Sequence, residues 1–286
     1  MANLVLYSIP AFFALIALEV VWASRHPDAK GYEKRDTAAS LSMGLLNVFI
    51  SAGAKGLSIP LFAWVYEHRV AELGRADLWW SWIVLLFAED CCYYWFHRIH
   101  HEVRFLWAAH VNHHSSQYFN LSTALRQTLL TPFTSPIFWT PLALLGFPPW
   151  MILTAQAWSL LYQFWLHTEA IDKLGPIEWV MNTPSHHRVH HGKNVRYLDR
   201  NHAGIFIIWD RMFGTFELET ERVVYGLTKD IHTFNPLRIG FHEVAAIARD
   251  VARAPTVAAK LGYVLAPPGW SHDGSTKTAG ELRREL

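Results

Sequence analysis

The residues with the clearest capacity for chemistry are histidines, and their spacing is regular. Twelve of the 17 histidines in the chain lie between residues 97 and 202. Residues three and four positions apart share one face of an α-helix. Eight imidazoles therefore fall into three helical clusters: His97 and His101, then His110, His113 and His114, and finally His187, His190 and His191. Three such clusters predict a metal site, because imidazole is the commonest side-chain metal ligand.

The number of imidazoles favours two metals over one. A site for a single ion takes about four to six ligands, and the eight clustered imidazoles, with His167 as a ninth, exceed that number. Imidazole suits zinc, copper, iron and nickel, so spacing alone does not choose the metal. The alternatives are a pH-responsive surface or a metal-scavenging tract, and scavenging tracts are usually flexible and of low complexity.

The remaining histidines are predicted to lie outside the site. His100 and His186 adjoin the clusters but sit off the shared helical face. Five more are isolated and suit surface or capping positions: His26, His68, His232, His242 and His272.

A metal-bound imidazole needs an acceptor for its second ring nitrogen. Asp90 lies seven residues before His97, two helical turns back on the same face. A carboxylate within so apolar a helix needs a partner, so we expect Asp90 to orient a histidine, the alternative being a pair with another buried polar group. Glu102 and Glu169 are further candidates for this role. No catalytic residue is assigned beyond the metal ligands.

The elements that must position these residues are strongly apolar. Hydrophobic residues make up 51% of the 286-residue chain and charged residues only 17%, against about 25% for a typical soluble domain. Residues 128–168 contain no Asp, Glu, Lys or Arg. The net charge of +1 argues against a nucleic-acid partner. The adjacent Cys91 and Cys92 form neither a disulfide framework nor a CxxC metal pair.

Apolar segments of membrane-spanning length recur along the chain. Residues 4–23 suit a transmembrane helix rather than a cleaved signal peptide, since no positive region precedes them, and residues 38–66 and 78–96 follow. We expect residues 129–147, bent by three prolines, and residues 150–166 to form a hairpin that spans or deeply enters the membrane. The prediction is an all-α integral membrane protein with about four membrane-embedded helices.

The flanking cations predict the orientation of these helices. Four Lys or Arg lie in residues 24–38 and two in residues 67–77, which places the former in the cytoplasm. Every histidine cluster then faces the cytoplasm, in a cap that holds two metals. Residues 236–253 predict an amphipathic helix, either on the membrane surface or packed against the protein. Without repeats or linkers, residues 1–286 read as a single domain, with a polar tail over about 270–286.

Four sequence blocks resemble the fatty acid hydroxylase (sterol desaturase) superfamily of integral-membrane diiron enzymes. The resemblance covers about residues 80–218 and rests on DCCYYWFHRIHHE, HVNHHSS, SHHRVHHG and IIWDRMFGTF. Within the superfamily, FWLHTEAIDKLGPIEWVMNTPSHHRVHHGKN and the blocks after it are most similar to the alkylglycerol monooxygenases. One departure is His202, where the family usually has Tyr, and this extra imidazole suits a ligand, a proton relay or a substrate contact.

The resemblance implies two iron ions, O2 and hydroxylation of a lipid C–H bond, with the lipid entering from the bilayer. It also implies an inner or plasma membrane location in a bacterium and the endoplasmic reticulum in a eukaryote. Three hypotheses stay open. The first is an alkylglycerol-monooxygenase-like enzyme that uses a tetrahydropterin such as tetrahydrobiopterin. The second is another lipid hydroxylase or desaturase that takes electrons from a small redox protein. The third is a non-enzymatic membrane metal-binding protein.

Overall fold

The computed structural model of the protein describes residues 3–286, and every regular element within them is helical, as the sequence predicts. The α-helices are α1 (Asn3–Ala23), α2 (Lys34–Glu67), α3 (Trp79–Glu102), α4 (Arg104–His114), α5 (Thr131–Thr134), α6 (Thr140–Leu144), α7 (Pro149–Phe164), α8 (Pro184–His190), α9 (Ile208–Phe213), α10 (Pro236–Arg253), α11 (Val257–Leu265) and α12 (Ala279–Arg283). Single 3₁₀ turns occur at Thr123–Leu125, Pro136–Trp139, Gly175–Trp179 and Val195–Tyr197.

The first two helices present apolar side chains outward. Phe13 and Leu18 on α1 are 55% and 67% exposed, and Phe49 and Leu57 on α2 are 68% and 67% exposed. Among the helices in residues 3–286, α2 is the one whose length and composition suffice to cross a bilayer, while the apolar part of α1, Tyr7–Ala23, is shorter. Apolar surface of this kind associates with lipid, because exposing it to water is unfavourable.

The predicted bent helix over residues 129–147 is wrong. The structure breaks this segment into α5, a 3₁₀ turn and α6, each only four or five residues long. Each piece carries a proline in its first turn: Pro132, Pro136 and Pro141. Proline is tolerated there because that turn needs no backbone N–H, but it prevents the preceding residues from continuing as one helix. The second arm of the predicted hairpin is helical, as α7.

A buried apolar cluster holds α3 in place. It joins α2, α3, α6 and α7 through Phe62, Leu85, Phe96, Trp139, Leu142, Ala143, Phe147, Met151, Ile152 and Ala155. Each large side chain in such a cluster contributes about 1.5–3 kcal/mol relative to exposure. Phe96 is the last residue of α3 in this cluster and directly precedes His97, the first histidine of the site. Packing of the cluster therefore fixes the position of His97.

The amphipathic helix α10 packs against α4 and also keeps an exposed apolar stripe. Arg104 at the start of α4 makes salt bridges of 2.7 Å to Glu243 and to Asp250 on α10. On the opposite side, α10 exposes Leu237, Phe241 and Val244. The predicted packing against the protein is therefore present, and contact of the exposed stripe with the membrane surface stays a prediction.

Residues 270–286 contain the short helix α12, which begins with a capping box between Thr278 and Glu281. The Arg283 guanidinium donates a hydrogen bond to the carbonyl of Leu198. This contact ties the end of the described chain to the segment that follows the third histidine cluster.

Candidate metal centre

Nine buried histidines meet where α3, α4, α8 and the residues after α7 converge. They form two compact sets, and within each set one ligand atom per residue lies within 4.8 Å of the others. The five-histidine group consists of His97, His101, His110, His114 and His190, and the four-histidine group of His113, His167, His187 and His191. These nine are the residues that the sequence analysis predicts as ligands, and the helical spacing brings them together because each cluster shares one helix face.

One turn orients three imidazoles of the five-histidine group. We call residues 199–202 the Asp199 turn. His97 Nδ1 donates to the carbonyl of His202 at 2.8 Å, and His190 Nδ1 donates to the carbonyl of Arg200 at 3.0 Å. His101 Nδ1 donates to Asp199 Oδ1 at 3.3 Å. Each bond fixes the proton on Nδ1, so the Nε2 lone pair of each ring points into the group.

The Asp199 turn has an unusual backbone. Asp199 and Asn201 adopt positive φ angles of 49° and 55°. This left-handed conformation is tolerated best by Asn and Asp among residues with a side chain. Asn201 is fully buried, and its amide donates to the carbonyls of His186 and Glu217 while its oxygen accepts from Glu217 N. The left-handed turn thereby places three acceptors, from Asp199, Arg200 and His202, against three histidines.

The four-histidine group is oriented by nearby carbonyls. His167 Nδ1 donates to the carbonyl of Gln163 at 3.0 Å, one helical turn back in its own segment. His113 Nδ1 donates to the carbonyl of Arg126 at 3.3 Å. The guanidinium of Arg126 is itself buried and forms an ion pair with Asp36 on α2. The long α2 helix therefore supports this group through Arg126.

The inward nitrogens fit a cation. Since His113 and His167 both donate through Nδ1, both Nε2 atoms carry lone pairs, yet these atoms lie only 3.2 Å apart. Two facing lone pairs repel unless a positive ion lies between them, and two nitrogens bonded at right angles to one metal at about 2.1 Å lie about 3.0 Å apart. In the five-histidine group, Nε2 of His101 and of His190 is buried without a hydrogen-bond partner among the described residues. A cation in each group would satisfy these atoms.

Burial keeps the site's imidazoles neutral at physiological pH. It lowers the pKa of His113 to about 4. Burial, reinforced by neighbouring imidazoles, also lowers the pKa of His114 and His191 well below the usual 6.5. Metal binding requires the neutral form, so no protons have to be removed from these rings before an ion enters.

The histidines expected outside the site lie outside both groups. His100 is buried, but its two ring nitrogens bond to the Phe96 carbonyl and to Thr134 Oγ1. His186 is buried with its ring against Phe216. The sequence-isolated histidines, His26, His68, His232, His242 and His272, belong to neither group.

The acidic residues expected to orient histidines have other partners. Asp90 accepts hydrogen bonds from Ile205 N, Phe206 N and Trp209 Nε1, so it holds the segment before α9 rather than an imidazole. The prediction that Asp90 orients a histidine is therefore wrong. As expected for a carboxylate in an apolar helix, Asp90 does have buried polar partners. Glu102 pairs with Arg98, and Glu169 accepts from Lys30 N.

Asp199, the carboxylate that does contact an imidazole of the site, is not among the residues predicted from the sequence. Neither are the backbone carbonyls of Arg126, Gln163 and Arg200, which also act as acceptors. Carbonyls are present at every residue, so no residue type marks them. Asp199 follows the third cluster by eight residues without helical spacing, and only its left-handed backbone aims it at His101.

Residues 82–215, slightly less than half of the chain, match the family model described as Fatty acid hydroxylase. The match spans all nine clustered histidines and the Asp199 turn.

Similarity to individual proteins extends beyond this domain. The chain is 43% identical over 264 residues to the alkylglycerol monooxygenase of Homo sapiens, a match of 91% of this chain and 58% of that protein. It is 38% identical over 263 residues to the alkylglycerol monooxygenase of Caenorhabditis elegans, covering 88% of this chain and 51% of the relative. It is also 32% identical over 217 residues to the ornithine lipid hydroxylase OlsE of Rhizobium tropici, covering 72% and 65%. The chain thus spans between half and two thirds of these relatives' lengths. No solved structure gives a significant match.

Proposed function

We propose that this protein is a membrane-bound, O2-dependent diiron monooxygenase that hydroxylates a lipid C–H bond. The observation that carries the proposal is the pair of adjacent groups of buried, neutral imidazoles, five and four in number, within an apolar helical chain. The fatty acid hydroxylase domain and the similarity to alkylglycerol monooxygenases support the same reaction class.

The five-histidine group would hold one iron and the four-histidine group the other. Iron bound there would supply the activation of O2 that C–H hydroxylation needs. Residues of the chain determine the charge and the orientation of the ligands. Neutral imidazoles add no negative charge, and the Asp199 turn and Arg126 hold the rings at fixed angles.

Aromatic side chains shield the site from water. The Trp107 ring lies 4.8 Å from the His101 ring, and the Phe119 ring lies 5.1 Å from the His191 ring. Phe119 is buried and stacks on Tyr225 at 4.8 Å. A dry site limits side reactions of a strong oxidant, which favours oxygen transfer to an apolar chain.

We infer that the substrate is an ether lipid of the alkylglycerol class and the reductant a tetrahydropterin. A polar cleft of about 430 Å³ suits the glycerol end of such a lipid, and its lining includes Trp22, Arg188 and Tyr225. Arg188 directly follows His187, and Tyr225 reaches the four-histidine group through Phe119. In an alkylglycerol the ether-linked carbon directly adjoins the glycerol, so a headgroup in this cleft would lie close to the metals.

A second candidate is hydroxylation of another lipid with electrons from a small redox protein, which the similarity to an ornithine lipid hydroxylase favours. A non-enzymatic metal carrier is less well supported, because a carrier needs ligands along a path, whereas the nine imidazoles gather in one place.

The test is to load the purified full chain with iron and offer an alkylglycerol with tetrahydrobiopterin under O2. Hydroxylation beside the ether oxygen gives a hemiacetal, which breaks down to a fatty aldehyde and glycerol. Aldehyde whose formation from the alkylglycerol depends on iron, tetrahydrobiopterin and O2 supports the proposal. Turnover of an ester lipid, fatty acid or sterol with a ferredoxin-type donor, and no aldehyde, would establish the second candidate instead.

We also propose that the chain is an integral membrane protein with the metal centre facing the cytoplasm. The exposed positions Lys229 and Ala76 offer a matched test after Cys91 and Cys92 are replaced by Ala. In sealed cells, K229C should react with a membrane-impermeant maleimide only after permeabilisation, and A76C without it. The opposite pattern would reverse the orientation.

A further inference from the structure

His202 is a buried imidazole that belongs to neither histidine group. Its side chain is 0% exposed, and neither Nδ1 nor Nε2 has a hydrogen-bond partner among the described residues. Burying an imidazole whose ring nitrogens have no hydrogen-bond partners is unfavourable. Where such a residue adjoins a metal-binding site, a bound ion can satisfy one of its ring nitrogens.

The ring of His202 lies against the five-histidine group. Its centroid is 5.1 Å from the ring of His101, and the rings of His101 and His110, both in the group, are 5.2 Å apart. The rings of His190 and His97 lie 5.8 and 5.9 Å from it. His101 and His190 are also the members of this group whose Nε2 atoms have no partner. The three rings that carry unsatisfied nitrogens, His101, His190 and His202, are therefore neighbours.

Asp210 is placed to orient this ring. His202 Nδ1 lies 3.8 Å from Asp210 Oδ1, slightly beyond hydrogen-bond range. The carboxylate is fully buried and held by His202 N and Ala203 N, both at 2.8 Å, and by the Thr215 hydroxyl at 2.6 Å. A small rotation of the imidazole would let Nδ1 donate to Asp210 and leave the Nε2 lone pair free. A carboxylate that fixes one ring nitrogen while the other binds a metal is a common arrangement around ligating histidines.

We propose that His202 is a tenth metal-binding imidazole, which joins the five-histidine group through Nε2 with Asp210 as its acceptor. The inference rests on the proposed metal centre. It makes the two sites unequal, with six imidazoles at one ion and four at the other. Six ligands complete an octahedral shell, so positions for O2 and substrate remain at the four-histidine group. That group is also the one that Phe119 and Tyr225 link to the polar cleft.

Cobalt substitution tests this assignment without measuring activity. Co²⁺ accepts imidazole ligands, and its visible absorption is weak when six-coordinate and stronger with fewer ligands. H202F removes the ring nitrogens but keeps a buried ring, and H186F is its matched control. His186 is likewise fully buried with both ring nitrogens unpartnered, but its ring contacts Phe216 and lies outside both groups.

At equal cobalt content, H202F should show a stronger visible band than the wild-type protein, and H186F should not. Removal of an outer partner of a metal site lowers affinity about 10–100-fold, so loss of a ligand should weaken one of the two cobalt ions at least about tenfold. An H202F protein with the wild-type spectrum and affinity would overturn the inference. If H202F does not fold, H202Q keeps a polar group at the position and is measured in the same way.

The structure of the cobalt-loaded wild-type protein decides the question independently of any variant. His202 Nε2 should lie about 2.1 Å from an ion. An ion bound by the other five histidines, with His202 Nε2 beyond 3 Å, would exclude this ligand while leaving the metal centre intact. A wild-type protein that binds no metal would instead refute the proposed function.

Discussion

The two histidine groups are neighbours, but they are held in place in different ways. In the five-histidine group, His97, His101 and His190 take their acceptors from the Asp199 turn, at separations of 105, 98 and 10 residues. The four-histidine group takes its acceptors from carbonyls 4 and 13 residues away. Three rings of one group therefore depend on a single turn, which is far in sequence from α3, whereas two rings of the other depend on separate carbonyls and, through Arg126, on α2.

Removal of one imidazole from either group should have the largest effect. H110A and H167A should each abolish hydroxylation and reduce bound iron from about two ions per chain to about one, because each removes a ligand atom from a compact set. Elemental analysis and product assays measure both quantities. H68A, at an exposed site beyond the end of α2, is the control. Full activity in H167A would remove that residue from the centre.

Loss of the support from α2 should mainly lower stability. In D36A the buried Arg126 guanidinium loses its carboxylate partner, and an unpaired buried charge costs about 3–5 kcal/mol. Thermal unfolding in detergent measures the loss. D77A breaks the exposed ion pair with Arg75 and should leave the melting temperature unchanged. Equal stability of D36A and the wild-type protein would show that α2 does not support this group through Arg126.

Disruption of the Asp199 turn should affect one group selectively. N201A loses three buried hydrogen bonds and the left-handed preference of Asn, at a cost of about 2–3 kcal/mol. Iron should be lost from the five-histidine group before the other. N201G also loses the three hydrogen bonds, but glycine adopts the left-handed conformation readily, so N201G should lose less stability than N201A. The difference between the two variants measures the contribution of the backbone conformation. Equal loss of both irons would contradict the independence of the two groups.

The smallest expected effect comes from a single outer acceptor. D199N replaces the carboxylate that accepts from His101 and should weaken one iron about 10–100-fold with little change in stability. Iron competition against a chelator measures the affinity. D273N changes an exposed acid far along the chain and should bind iron like the wild-type protein. A D199N protein with unaltered affinity would assign the orientation of His101 to packing alone.

Helical periodicity explains why the ligand positions could be predicted and their partners could not. The spacing of His187, His190 and His191 encodes a shared face directly, and the structure brings that face to the site. The partner of His101 depends on a positive φ at Asp199, which no hydrophobic pattern encodes. The acceptors of His97 and His113 are main-chain carbonyls, so the sequence carries no mark of them.

The same limit explains the errors in the fold. Apolar composition predicts membrane affinity for residues 129–147, but three prolines at spacings of four and five residues exceed what one bent helix tolerates. The sequence predicts that Asp90 is a buried carboxylate in need of partners. Its partners, however, are backbone N–H groups at 205 and 206, which become neighbours only once the chain has folded.

The contact between Arg283 on α12 and the carbonyl of Leu198 has a consequence for biosynthesis. Leu198 immediately precedes the Asp199 turn, so residues near 283 help to complete the support of the five-histidine group. During translation the histidines of α3 and α4 emerge well before that support exists. The four ligands of the four-histidine group, and the carbonyls that accept from His113 and His167, all lie at or before His191, so this set of ligands emerges earlier. Metal loading in the cell should therefore be ordered in time, with the four-histidine group filled on the growing chain and the five-histidine group filled last.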